Sequence, residues 1–266
     1  GYLLDDESAR REFAVFQGVV RDVDVAVGRL LDSLERTGLA DNTWFILTSD
    51  HGVPFPRAKC SLYDPGLEVP LIMRWPDGGL QGGRVFDHLF SLVDFVPTLL
   101  DFLRIDAAPR HGRPLHGVSH AAALAASTRR PARDHLFAEM TFHDYYDPMR
   151  AVRTATHKLI VNFMYNPSFM NPSQQYHPST RPVVPARAEV SRHPLVELYD
   201  LVRDPLEHRN LADPDERADP EVETQTSALL DRLARHMRDT HDPLLQGVPT
   251  PPMHNLALTR LGLPRC

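Results

Sequence analysis

Phe13, Phe16, Val20, Val23, Val27, Leu30 and Leu34 recur at alternating steps of three and four residues. That spacing is one face of a helix with about 3.6 residues per turn, so residues 8–36 are expected to form one long amphipathic helix. Gly38 supplies its stop. Trp44-Phe45-Ile46-Leu47-Thr48 follows, a short and nearly continuous apolar run. Its length and residue types predict a buried strand of a parallel sheet. A long helix, a tight loop and a buried strand in succession predict α/β architecture.

The rest of the chain extends this pattern and then changes it. Leu71–Arg74 reads as a second strand, Asp77-Gly78-Gly79 as a turn, and Leu92–Leu103 as a helix with Asp94 as its N-cap. Ala121–Ala126 reads as a short helix. From about residue 135 short strands dominate: His135–Thr141, the stretch Arg150–Phe163, and Glu197–Asp200. Residues 221–239 form a last helix with Val222, Leu229, Leu230 and Leu233 as its apolar set. Pro167, Pro172, Pro178, Pro182, Pro185 and Pro194 predict an irregular loop over 164–194. The division expected is therefore a main α/β domain over 1–134 and a smaller antiparallel α+β subdomain with a helix over 135–266.

Composition excludes several classes. The net charge of −6 argues against a general nucleic-acid binder. No run approaches the roughly 18 apolar residues that a membrane-spanning helix needs. The 2 cysteines, Cys60 and Cys266, cannot build a disulfide framework or a cysteine-rich zinc site. Of the 29 basic residues only Lys59 and Lys158 are lysines. Where arginine is the default, a lysine retained in a loop stands out. The chain opens on Gly1-Tyr2-Leu3-Leu4, without Met or a signal-type stretch, so a fragment of a longer protein is expected. The sequence sets no oligomeric state.

Polar chemistry appears abruptly after the first strand, at Ser49-Asp50-His51-Gly52. Ligands of open α/β sheets bind beyond the carboxyl ends of strands. A carboxylate and an imidazole side by side can reach one metal ion, and Gly52 lets the backbone turn sharply. Two ligands do not complete a site, because a hard cation takes six or more oxygens. Lys59 lies on the following loop, where its ammonium could hold an anionic oxygen. Asp87 and His88 repeat the Asp-His order without a following Gly and are read as structural.

Thr48-Ser49-Asp50-His51-Gly52, then Lys59, then Leu62-Tyr63-Asp64-Pro65-Gly66 and Val69-Pro70-Leu71-Ile72 resemble the second metal-and-sulfate loop of the sulfatase family. That family belongs to the alkaline-phosphatase-like superfamily. Asp94-Phe95-Val96-Pro97-Thr98-Leu99-Leu100 resembles its D-x-x-P-T-L-L helix. Arg150-Ala151-Val152-Arg153 and His157-Lys158-Leu159-Ile160 resemble its C-terminal strand pair. Glu197-Leu198-Tyr199-Asp200 with Asp204-Pro205, Glu207 and Asn210-Leu211 resembles its E-L-Y-D signature. Gly52-Val53-Pro54-Phe55-Pro56, Pro148-Met149-Arg150 and Thr240-His241-Asp242-Pro243 point within the family to its heparan N-sulfatase branch.

The resemblance implies an alkaline-phosphatase-like mixed sheet flanked by helices. It also implies hydrolysis of sulfate esters or sulfamates on a sulfated saccharide or other small sulfated substrate. It makes Asp50 and His51 metal ligands and Lys59 a sulfate-binding catalytic residue. The implied metal is calcium. An imidazole ligand leaves manganese open, or a His51 that faces the sulfate instead. Arg57, Glu139, His143 and Arg150 are candidate substrate contacts. Relatives are commonly periplasmic, secreted or lysosomal. The family's nucleophile is a formylglycine made within C-x-P/A-x-R. Cys60 is followed by Ser61-Leu62-Tyr63-Asp64 and Cys266 ends the chain, so the motif is absent from these residues. The chain thus resembles the C-terminal portion of a sulfatase and is expected to be inactive alone. Two alternatives stay open: a phosphodiesterase or phosphonate monoester hydrolase of the same superfamily, and a non-catalytic truncated chain.

Overall fold

The structure is a computed structural model that describes residues 3–106, 115–125, 131–143, 146–164, 193–213, 215, 219–247 and 257–262. In chain order the elements are α1 (Glu7–Arg36), β1 (Phe45–Thr48), α2 (Asp64–Leu67), β2 (Leu71–Arg74), a 3-10 turn (Leu92–Asp94) running into α3 (Phe95–Phe102), and α4 (Ala121–Leu124). Then come β3 (His135–Phe142), β4 (Tyr146–Thr154), β5 (His157–Asn162), β6 (Val196–Asp200), α5 (Pro220–Asp239) and a 3-10 turn (Pro243–Gln246). The loop expected over 164–194 lies almost wholly outside the described residues. Residues 1–218 form one compact unit and 219–266 a second. Both sheets fall in the first unit.

α1 starts where the sequence places it. The Asp6 carboxylate accepts a hydrogen bond from Ala9 N at 2.8 Å, capping the first turn. Gly38, at φ +69°, follows its C-terminus in the left-handed region. The apolar stripe is only partly covered. Ala9 is the one buried residue described on α1, and Phe13 and Phe16 lie against Phe55, at 5.9 and 5.6 Å between ring centres.

β1 departs from expectation. It pairs antiparallel with β2, with Phe45 opposite Arg74 and Thr48 opposite Leu71, and its residues are half-buried or exposed. A continuous apolar run reports partial burial of both faces and does not encode strand direction. Asp94 is the N-cap residue of α3, as expected, but its side chain makes no capping bond to that helix. Ser91 caps the preceding 3-10 turn, and the Asp94 carboxylate accepts from Ser91 N at 2.8 Å. Asp94 is fully buried, where it also accepts from Val118 N at 2.8 Å and meets His120 Nε2 at 3.2 Å and the Arg133 guanidinium.

The four-stranded sheet is antiparallel throughout, in the order β3-β4-β5-β6. Its register aligns Met149 with Asn162, Ala151 with Ile160 and Arg153 with Lys158. On the next strand Ile160 pairs with Glu197 and Lys158 with Tyr199. Side chains alternate along a strand, so these residues share one face. Met149, Ala151, Ile160 and Tyr199 pack there against Leu62 and Tyr63. The loop after β1 is thereby seated on this sheet.

Candidate active site

The excursion between β1 and β2 carries the candidate residues, and its shape depends on two glycines. Gly52 N donates to Gly66 O at 2.9 Å. A Cβ on Gly52 would stand 1.9 Å from Pro65 O, and one on Gly66 would stand 2.2 Å from Ala58 O. Only glycine permits these backbones to approach so closely. The loop is further closed by hydrogen bonds from Phe55 N and Lys59 N to Val53 O, at 2.9 and 3.1 Å. Phe55 and Ala58 are buried beneath it.

This loop, β2 and the edge strand β3 surround an open cleft of about 1500 Å³. Asp50, His51, Lys59, His88, Glu139 and His143 line it. The Asp50 side chain is 85% exposed, and its Oδ1 lies 3.5 Å from His51 Nε2. His51 Nδ1 donates to Gly52 O at 2.9 Å. A carbonyl can only accept, so in a neutral ring the other nitrogen, Nε2, carries the lone pair. Backbone support of one ring nitrogen is the usual arrangement of a metal-binding histidine. The pair therefore fits as two ligands of a shared metal site. It is not a full set: among the described residues no three His, Cys, Asp or Glu side chains converge on a cation position. Lys59 is half-buried and forms no ion pair among the described residues.

Two candidate substrate contacts lie elsewhere. Arg57 is 4% exposed and does not line the cleft. Its guanidinium donates to Leu206 O at 2.7 Å and to Glu207 O, and lies 3.8 Å above the centre of the Tyr63 ring. Arg150 is also buried away from the cleft, donating to Met140 O at 2.8 Å, Met149 O at 2.9 Å and Thr141 Oγ1 at 3.2 Å. Each guanidinium is committed to acceptors beside it inside the fold. Glu139 stands opposite Arg150 in register, 3.5 Å from its Nε. By alternation both project from the face opposite Met149 and Ala151, so Glu139 meets the cleft only along the sheet edge. His143 lines the cleft just beyond the end of β3. His88, read as structural from its sequence context, lines it as well, and no local signal marks it.

A buried ionic network lies beneath the loop. Lys158 Nζ is 2.5 Å from Asp64 Oδ1 and 2.7 Å from Glu207 Oε1. Arg153 Nη2 reaches Asp64 Oδ2 at 3.1 Å, and Asp64 N donates to Glu207 Oε2 at 2.7 Å. Burial pushes the Asp64 carboxyl up, but Lys158 and Arg153 together hold it below its ordinary value. Burial also pushes Glu207 up, and there Lys158 only partly offsets it, so Glu207 stays raised. The two carboxylates share one ammonium, and only Asp64 has the arginine besides. Another buried carboxylate, Glu197, accepts from Tyr63 Oη at 2.7 Å, Tyr199 Oη at 2.5 Å and Asn162 Nδ2 at 2.7 Å. Burial first, and then the Glu197 charge, push both tyrosine hydroxyls well above their ordinary value.

Known proteins share the sequence pattern and the fold of this chain. Residues 4–105 match the family model described as Sulfatase, and residues 55–179 match that of the N-sulphoglucosamine sulphohydrolase C-terminal region. The N-sulphoglucosamine sulphohydrolase of Homo sapiens is 30% identical over 260 residues, which cover 91% of this chain and 51% of that protein. The chain thus spans about half the length of this relative. A solved 2-O GAG sulfatase superposes with a TM-score of 0.66 at 24% identity, covering 91% of this chain and 46% of that one. A structure solved with its substrate D-glucosamine-2-N,6-O-disulfate gives 0.62 at 25% identity, covering 84% and 40%.

Proposed function

The chain belongs to the sulfatase family, and on that premise we propose that its cleft receives the sulfate group of a sulfated sugar for hydrolysis. The observation that carries the reading is the convergence of Asp50, His51 and Lys59 on one cleft. Each sits on a loop whose backbone is fixed by Gly52, Gly66 and the sheet beneath.

Cleavage of a sulfate ester or sulfamate leaves negative charge on the departing oxygen or nitrogen and on the sulfuryl oxygens. Lys59, with no carboxylate partner among the described residues, supplies a positive charge for those atoms, and a fixed charge in a partly desolvated cleft stabilises them more than water does. Asp50 and the Nε2 atom of His51 would hold a divalent metal, proposed to be calcium, which would polarise the sulfuryl oxygens. His143 and His88 stand where the sugar would extend. No C-x-P/A-x-R occurs within residues 1–266, so a formylglycine nucleophile would have to come from outside them.

The test is hydrolysis by the natural full-length product of an aryl sulfate, glucosamine N-sulfate and an aryl phosphate. Turnover of the sulfur substrates above the phosphate, lost in Lys59→Ala, is the expected result. Preference for the phosphate would favour the phosphodiesterase and phosphonate hydrolase alternative and overturn this one. Repeating the assay with manganese in place of calcium, and with His51→Asn, tests the metal assignment.

A further inference from the structure

We propose that Arg57 and Glu207 are positioning residues for Lys59, so that the signature at residues 197–210 is the seat of the anion-binding loop. This rests on the reading of Lys59 as the sulfate-binding residue.

Lys59 lies on neither a helix nor a strand, so something else must fix its backbone. Arg57, two positions earlier, adopts φ +62°, and Glu207 adopts φ +57°. Non-glycine residues seldom take this left-handed conformation, and they hold it where surrounding contacts over-determine it. Here the two residues hold each other. The Arg57 guanidinium bridges the Leu206 and Glu207 carbonyls. The Glu207 carboxylate accepts from Asp64 N on the far limb of the loop and pairs with Lys158 on the sheet. The turn at Glu207 sends its carbonyl to one limb and its carboxylate to the other. Ala58, between Arg57 and Lys59, is fully buried.

A guanidinium is required at position 57. Its planar fork spans two carbonyls while its face lies on Tyr63, which an ammonium cannot do. Fixing the Lys59 backbone in advance lowers the ordering cost of anion binding. The E-L-Y-D signature thereby acquires a role: Glu197 takes the Tyr63 hydroxyl, and Glu207 takes Asp64 and Arg57.

The chain contains only two lysines, which makes the test direct. Lysine-selective 13C labelling gives one signal from Lys59 in the cleft and one from Lys158 inside the fold. The chain is titrated with inorganic sulfate as wild type, Arg57→Gln and Arg57→Lys. In the wild type the Lys59 signal should sit away from its unfolded position and move saturably with sulfate. In Arg57→Gln it should move toward the unfolded position before sulfate is added, and affinity should fall roughly tenfold, while Lys158 stays in place. If the Lys158 signal collapses too, Arg57→Lys, which keeps the buried charge and adds a third lysine signal, becomes the deciding variant; its Lys59 signal is identified by its loss in Arg57→Lys/Lys59→Arg, and it must also be released. An unchanged Lys59 signal and affinity in the folded variants would overturn the proposal. A wild-type Lys59 signal that is fixed but indifferent to sulfate would instead refute the sulfate reading. The positioning claim would then be decided by the Lys59 shift in the variants alone.

Discussion

Lys158 Nζ lies 2.7 Å from Glu207 Oε1, and both side chains are fully buried. The pair joins β5 to the segment after β6, and through Asp64 it joins both to the loop that carries Lys59. A buried ion pair adds little stability over an apolar pair of the same shape, but breaking one partner is costly. Lys158→Met leaves Glu207 and Asp64 short of their shared cation. It should destabilise the protein by roughly 3–5 kcal/mol, read from urea unfolding midpoints. Combining it with Glu207→Gln should recover part of the loss, because one stranded charge is removed. A loss below about 1 kcal/mol, the range of an exposed pair, would contradict the network's buried placement.

Gly52→Ala places a methyl group 1.9 Å from Pro65 O and 2.8 Å from the Gly66 Cα, both backbone atoms. The strand end must then separate from the 65–66 turn. A stability loss of about 3 kcal/mol or more is expected. Gly18→Ala is the contrast. It lies on the exposed face of α1 with nothing within 4 Å of the new Cβ, and it should stabilise by about 0.5–1 kcal/mol. Parallel thermal melts of the two variants check both signs. Equal effects would refute the close approach at Gly52.

Acid stability should carry the mark of Asp94. Burial opposes ionisation of its carboxyl, but hydrogen bonds from His120, Ser91 N and Val118 N, with the Arg133 charge, hold it below its ordinary value. The stability it contributes is present above the unfolded value, about 3.9, and is lost as pH falls through the lower folded value. Asp94→Asn should lower stability at pH 6 and flatten the decline below pH ~4. Glu207 acts in the opposite sense. Its raised value makes its contribution fullest below the unfolded value and lost as pH rises through the folded one. Urea midpoints measured from pH 6 to 3 separate the two. Parallel curves for wild type and Asp94→Asn would contradict the assignment.

Much of the fold was legible because periodicity reports it directly. The helix expected over 8–36 is α1 (Glu7–Arg36), and the helix expected over 221–239 is α5 (Pro220–Asp239). Strand direction at β1 was not legible, since an apolar run looks alike in parallel and antiparallel sheets. Asp50, His51 and Lys59 stood out because a strand end, a glycine and a rare lysine coincide there. Arg57 and Arg150 misled because a surface charge and a buried one are the same letter. Arg57 is buried by partners far along the chain, Leu206 and Glu207, and Arg150 by the pairing of β4 with β3. Lys158 was legible only as part of a strand motif, and its burial appears once Asp64 and Glu207 are folded against it. His88 was missed for the same reason: β2, β3 and the site loop meet around it only in three dimensions.

The most direct test of the account is calorimetric titration of the natural full-length product, its formylglycine position changed to alanine, with glucosamine N-sulfate in the presence of calcium. This protein, otherwise wild type, is compared with its Lys59→Ala and Asp50→Ala variants. The account predicts saturable binding by the wild type, weakened roughly tenfold or more in each variant, with glucosamine itself not bound. Binding that is equal in all three proteins, or no binding of the sulfated sugar by the wild type, would contradict it.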